Sequence, residues 1–153
     1  MKRRSARIVA VQCLYLMEMN GVPPEAALNA VLSEALGENE GGLDVGDADA
    51  LLEYVRGLLS RMVPLLPEID RTLAEFLHGY KLERLSRVDK EVLRLGTFEL
   101  LFSDAEDVPP KVAVNEAIEV AKHLGTEESG RFVNGVLGKM LRRLDELKAA
   151  RNA

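Results

Sequence analysis

Residues 88–102 read VDKEVLRLGTFELLF. Drawn as a helix, this stretch places Val92, Leu93, Leu95, Phe98, Leu100 and Leu101 on most of its circumference. A helix that is apolar nearly all round belongs inside a bundle, so the stretch predicts a central helix enclosed by others. Ser86-Arg87-Val88-Asp89 just ahead of it has the S-x-x-[DE] form of a capping box, which marks where the helix begins.

Outward from this centre, Gly and Pro divide the chain into further helical blocks. The first runs from about Arg4 to Met19 and stops at Asn20-Gly21, a helix-ending pair. Pro23-Pro24 opens a second block, Glu25 to Leu36, because Pro is tolerated in a first turn. Residues 37–49, GENEGGLDVGDAD, are glycine-rich and acidic and read as a flexible, solvated loop without a site. Asp47 or Asp49 is positioned to cap the third block, which continues to Pro64. Pro64 and Pro67 bracket a short joint, the expected boundary between subdomains at about 1–64 and 65–153 of one domain. A fourth block covers Glu68 to Leu77, and Pro109-Pro110 opens the sixth, with Val114, Ala117, Ile118, Ala121 and Leu124 on one face. The last carries Val133, Val136, Leu137, Met140, Leu141 and Leu144 at helical spacing, and a charged tail, LRRLDELKAARNA, extends it. No segment alternates apolar and polar residues long enough for a sheet. About seven helices with short connections make an all-α bundle.

The bulk composition agrees. The chain has 153 residues, 47% hydrophobic and 29% charged, with few aromatics and no Trp. A single cysteine, Cys13, cannot form an internal disulfide, so a reducing, cytoplasmic setting is expected. The start, a basic segment followed by IVAVQCLYLM, has the outline of an export signal. Gln12 and Glu18 interrupt its apolar run and no A-x-A-like site follows, so a soluble, unexported protein without a membrane span is expected.

Residues for catalysis are scarce. Neither histidine, His78 or His123, has a metal-ligating partner at i+4, and both fall near helix ends, where an imidazole caps or faces the dipole. Cys13 lies in an apolar helix and reads as a buried, inert thiol. The phosphate-loop, dinucleotide and H-E-x-x-H patterns are missing. Gly130, Gly135 and Gly138 fall inside a periodic helix and read as points of close helix approach. Glu116 and Glu119 read as solvated charges on a polar face. The expectation is a protein with no enzymatic activity, no metal and no cofactor.

The N-terminus carries more information. Lys2, Arg3, Arg4 and Arg7 place four positive charges in seven residues of a chain whose formal charge is −5. Without them, 16 Lys and Arg face 25 Asp and Glu, a balance of −9. On the first helix Arg3, Arg4, Arg7 and Glu18 form one polar stripe with Tyr15 at its edge. Cations at a helix N-terminus oppose the macrodipole, by about 0.3–1 kcal/mol each when exposed. Something outside the fold therefore favours them there, and a polyanion fits because guanidinium binds phosphate bidentately. A solvated terminus without a role is the plainer alternative. Arg131-Phe132 at the start of the last helix is a second candidate, since a ring beside a guanidinium suits an unstacked base and its phosphate. Phe132 reads equally well as a core residue. Arg84, Arg87, Lys90 and Arg94 read as a solvated helix face.

Three stretches, ARIVAVQCLYLMEMNG, RVDKEVLRLGTFELLF and VPPKVAVNEAIEVAKHLGTEESGRFVNGVLGKML, resemble the NusB family of transcription antitermination factors, in the same order and over essentially the whole chain. The resemblance implies two three-helix subdomains with an additional helix. It implies a non-enzymatic protein that binds the single-stranded boxA element of nascent ribosomal RNA leaders together with ribosomal protein S10 (NusE). That pair joins other Nus factors on RNA polymerase and suppresses premature, notably Rho-dependent, termination of rRNA operons. Carried over by position, the RNA-binding residues are Lys2, Arg3, Arg4, Arg7, Glu128, Arg131 and Phe132, and the S10-facing residues are Tyr15, Glu83 and Asp89. Some relatives dimerise, so a homodimer is one possible state. The alternative function is a purely protein-binding helical scaffold in a ribosome-biogenesis or transcription complex.

Overall fold

The computed structural model of the chain describes residues 1–37 and 43–152. Part of the acidic loop expected at 37–49 thus lies outside the described residues. Among the described residues there are eight α-helices, two short 3-10 turns and no strand. The helices are α1 (Arg3–Asn20), α2 (Pro24–Leu36), α3 (Ala48–Met62), α4 (Leu66–Ala74), α5 (Arg87–Leu101), α6 (Pro110–Leu124), α7 (Glu127–Arg142) and α8 (Leu144–Arg151). The architecture is all-α, as the periodicity requires. The chain divides into two compact units, Met1–Pro64 and Leu65–Ala153.

In the first unit α1, α2 and α3 pack against one another. Gly21 ends α1 in a left-handed conformation, φ 66°, with its N–H donated to the Met17 carbonyl at 2.9 Å. Pro24 occupies the first turn of α2, where its missing N–H costs nothing. The Asp47 carboxylate accepts the Ala50 N–H at 3.1 Å and caps α3. That cap draws Ala48 and Asp49 into the helix, so the loop read from sequence ends two residues early. The core includes Val9, Ala10, Cys13, Leu28, Leu51, Val55 and Leu59. Arg56 of α3 pairs with Glu25 of α2 at 2.6 Å and with Glu53 of its own helix.

In the second unit α5 is central, packed against α4, α6, α7 and α8. From Glu91 to Leu101 every residue of α5 except Arg94 is buried. Ser86 caps it by accepting the Asp89 N–H at 3.2 Å. Gly96 makes the packing possible: a Cβ there would lie 2.5 Å from Leu137 Cδ1 of α7 and 3.4 Å from Ala117 Cβ of α6. Of the glycines read as close-approach points, only Gly130 behaves so, with the Lys122 stem 2.7 Å from its notional Cβ. Gly135 faces open space, and Gly138 meets ordinary contact distances.

Two expectations change at the ends of this unit. The fourth block stops at Ala74, and Phe76 and Leu77 are buried in the turns that follow. The C-terminal tail does not extend α7 but breaks at Arg143 and restarts as α8. Leu144 is buried, and the guanidiniums of Arg143 and Arg151 lie 5.2 and 4.2 Å from the Phe76 and Phe102 ring centroids.

Arg94 is no solvated face residue. Its guanidinium forks onto Asp70 of α4 at 2.9 and 2.7 Å and reaches Glu91 at 3.0 Å, with only 11% of its side chain exposed. Burial works against its charge, but the two carboxylates outweigh that and raise its pKa. Cys13 is buried, and desolvation pushes its thiol pKa up to about 12, as suits an inert thiol.

Candidate nucleic-acid interface

The expected RNA-binding residues fall on both units, and each cluster has its own local cause. At the start of α1, Lys2 is the N-cap residue, with extended backbone and no side-chain cap bond. The first turn holds no acid, so the positive end of the helix dipole adds to the cations instead of being offset. Asp44 reaches the arm from outside the helix: Lys2 Nζ lies 2.5 Å from Asp44 Oδ2, and Ser5 Oγ donates to the Asp44 carbonyl at 2.6 Å. The Lys2 ammonium holds the Asp44 carboxyl below its ordinary pKa, first through the hydrogen bond and then through charge. Gly46 donates its N–H to Asp44 Oδ1 at 3.2 Å, so residues 44–46 form a small seat for the N-terminus.

Arg3 lays its guanidinium 5.5 Å from the Tyr54 ring centroid, against α3. Arg3 and Arg4 are exposed. Arg7 is not: it is 3% exposed, in a run of α1 buried from Ser5 through Val11. The polar stripe drawn from periodicity therefore loses its third arginine, because this turn of α1 is enclosed on the side where the stripe runs. Tyr15 is 38% exposed on the same helix, with Glu18 exposed beside it.

The second cluster is set by the start of α7. Thr126 and Ser129 exchange hydrogen bonds, each side chain accepting the other's N–H at 3.3 Å, a full capping box that fixes this turn. Glu127 and Glu128 lie in the first turn, where the dipole favours them. Glu128 hydrogen-bonds Arg131, both well exposed, and that bond raises the Arg131 pKa. Phe132 is half-buried and so is neither a full core residue nor a free ring. Its ring meets Tyr80 edge-to-face, centroids 5.5 Å apart at 70°.

Tyr80 was not reached by sequence reasoning. It is 63% exposed and follows two residues in left-handed backbone, His78 at φ 42° and Gly79 at φ 90°. The signal available in the sequence is the aromatic immediately after His78-Gly79, in a chain with only three tyrosines. Of the expected S10-facing residues in this unit, Glu83 is exposed in the 3-10 turn Leu82–Arg84, and Asp89 lies in the first turn of α5. The Oδ1 atom of Asp89 is buried and accepts no hydrogen bond among the described residues.

The chemistry these surfaces offer is cationic and aromatic. Among the described residues no group of three or more His, Cys, Asp or Glu is placed to hold a metal, and no helix is long and apolar enough to cross a membrane. Guanidinium and ammonium groups bind phosphate, and exposed rings accept unstacked bases.

Comparison with known proteins finds relatives over nearly the whole chain. The family model described as the NusB family matches residues 4–142. A transcription antitermination protein NusB of Clostridium botulinum (strain Loch Maree / Type A3) is 41% identical over 145 residues, covering 92% of this chain and 100% of the relative. The protein of the same name from Acetivibrio thermocellus is 38% identical over 142 residues, with 93% and 90% covered. Among solved structures, T. maritima NusB aligns with a TM-score of 0.74 at 34% identity, covering 93% of this chain and 92% of that one. A chain from a crystal structure of the antitermination factors NusB and NusE in complex with double-stranded RNA aligns at 0.73 with 28% identity, covering 92% and 96%.

Proposed function

The chain belongs to the NusB family of non-enzymatic transcription antitermination factors, and from that premise we propose that it binds the boxA element of nascent rRNA leader transcripts together with ribosomal protein S10 (NusE). The observation that carries this reading is the exposed cationic start of α1 on an otherwise acidic chain. Lys2, Arg3 and Arg4 meet phosphates there. Arg131 and Phe132 meet a nucleotide at the start of α7, with Glu128 setting the guanidinium. Arg7, enclosed, supports the arm from within. Tyr15, Glu83 and Asp89 face S10. A solved NusB–NusE complex with double-stranded RNA, similar to this chain, supports NusE and RNA as the two kinds of partner. RNA bound in this way joins other Nus factors on RNA polymerase in the cytoplasm and resists Rho-dependent termination of rRNA operons.

The test is a three-component titration of the full chain, S10 and single-stranded boxA RNA against a scrambled strand. Preference for boxA that strengthens on adding S10 is expected, with a log–log salt slope near about −3 if four phosphates are neutralised. Equal binding of boxA and scrambled RNA in the presence of S10 would overturn the reading.

A further inference from the structure

We propose that Tyr80 is a second ring of the RNA surface, a fixed face on which an unpaired base of the bound strand stacks beside Phe132. The inference rests on the RNA-binding reading above and extends it to a residue outside the set derived from sequence. Tyr80 is 63% exposed, yet its backbone is fixed and its ring rests against a neighbour. Its N–H donates to the Leu77 carbonyl at 3.1 Å, the His78-Gly79 turn sets its direction, and Phe132 meets it edge-to-face. A ring held this way loses little further freedom when a base lands on it.

The surroundings suit a nucleotide. Lys81 follows Tyr80 and Arg131 precedes Phe132, both exposed, so each ring has a cation next to it in the chain to meet the phosphate of a stacked base. Every base has a π-face, so this contact selects unpaired nucleotides and does not read sequence. Bases within a duplex keep their faces covered by their neighbours and cannot reach the ring.

The experiment uses the full chain with S10 and a fluorescein-labelled single-stranded boxA RNA, comparing wild type, Tyr80→Ala and Tyr80→Phe. Tyr80→Ala is expected to weaken binding by about tenfold, and Tyr80→Phe to stay within about twofold of wild type, because the ring suffices for stacking. The salt slope should not change with Tyr80→Ala, whereas Arg131→Ala should reduce it by about 0.7. RNA carrying 2-aminopurine at successive positions should show quenching at one position with wild type that vanishes with Tyr80→Ala. Circular dichroism melting checks that the exposed substitution leaves the fold intact. Equal RNA affinity of Tyr80→Ala and wild type overturns the proposal alone. Loss of S10 binding by Tyr80→Ala in the absence of RNA also overturns it, by making Tyr80 a protein contact. If wild type binds no RNA with S10 present, the functional reading falls and this proposal with it.

Discussion

Arg94 and Cys13 show how far a single side chain's surroundings outrun its place in a sequence pattern. Arg94 joins α4 to α5 through Asp70, a partner 24 residues away that no local spacing reveals. Removing its guanidinium would break its ion pairs with Asp70 and with the fully buried Glu91 carboxylate. Arg94→Ala is expected to destabilise the protein by about 3 kcal/mol, read by urea unfolding, and Arg94→Lys to recover only part of that because the two-pronged contact is lost. Cys13 makes the opposite case, since its burial in an apolar helix follows directly from the residues around it. Its folded pKa of about 12 lies above that of an unfolded thiol, so the folded state disfavours the thiolate. As pH rises past about 9 the unfolded chain ionises first, and stability falls from there until about pH 12. A thiol reagent at pH 8 should leave Cys13 unmodified in the native protein and label it in urea.

At the scale of elements, the central position of α5 was readable because a helix apolar all round has nowhere else to go. Helix starts marked by Pro24, Ser86 and Pro110 were readable for the same kind of reason, namely that the residue itself restricts the backbone or satisfies it. The close-approach roles of glycines inside helices were readable only in part, right for Gly130 and not for Gly135 or Gly138, because the neighbour a Cβ would strike belongs to another helix. Gly96 and Gly135 separate the two cases. Gly96→Val places methyl groups against Leu137 and should cost about 2 kcal/mol through overpacking. Gly135→Ala fills open space on an exposed helix and should add roughly 0.5–1 kcal/mol through helix propensity. Thermal melting of the two variants, with opposite shifts, checks both. The break at Arg143 also escaped the periodicity, because the apolar spacing runs through it unbroken to Leu144 while the arginine turns onto Phe76.

For the molecule as a whole, charge is the dominant constraint on what it can bind. With −9 outside the arm, general attraction for RNA is small, and phosphate contacts depend on a few cations. Replacing Lys2, Arg3 and Arg4 together with Ala should flatten the salt dependence of RNA binding by about two units of slope, measured by titration across salt concentrations. The candidate surface was readable only in part. Arg131-Phe132 announces itself as neighbours in the chain, whereas Tyr80 joins Phe132 only through the fold, and the burial of Arg7 reverses what a helical projection suggests. The seat that Asp44 offers Lys2 has one more consequence. This lysine comes with its own resident counterion, so an incoming phosphate replaces one anion with another, and the lysine contributes only the difference between the two pairings. Asp44→Asn should therefore tighten RNA binding, measured by titration, although Asp44 is outside the proposed RNA-contacting set. Asp44 thus competes with an incoming phosphate for this one lysine.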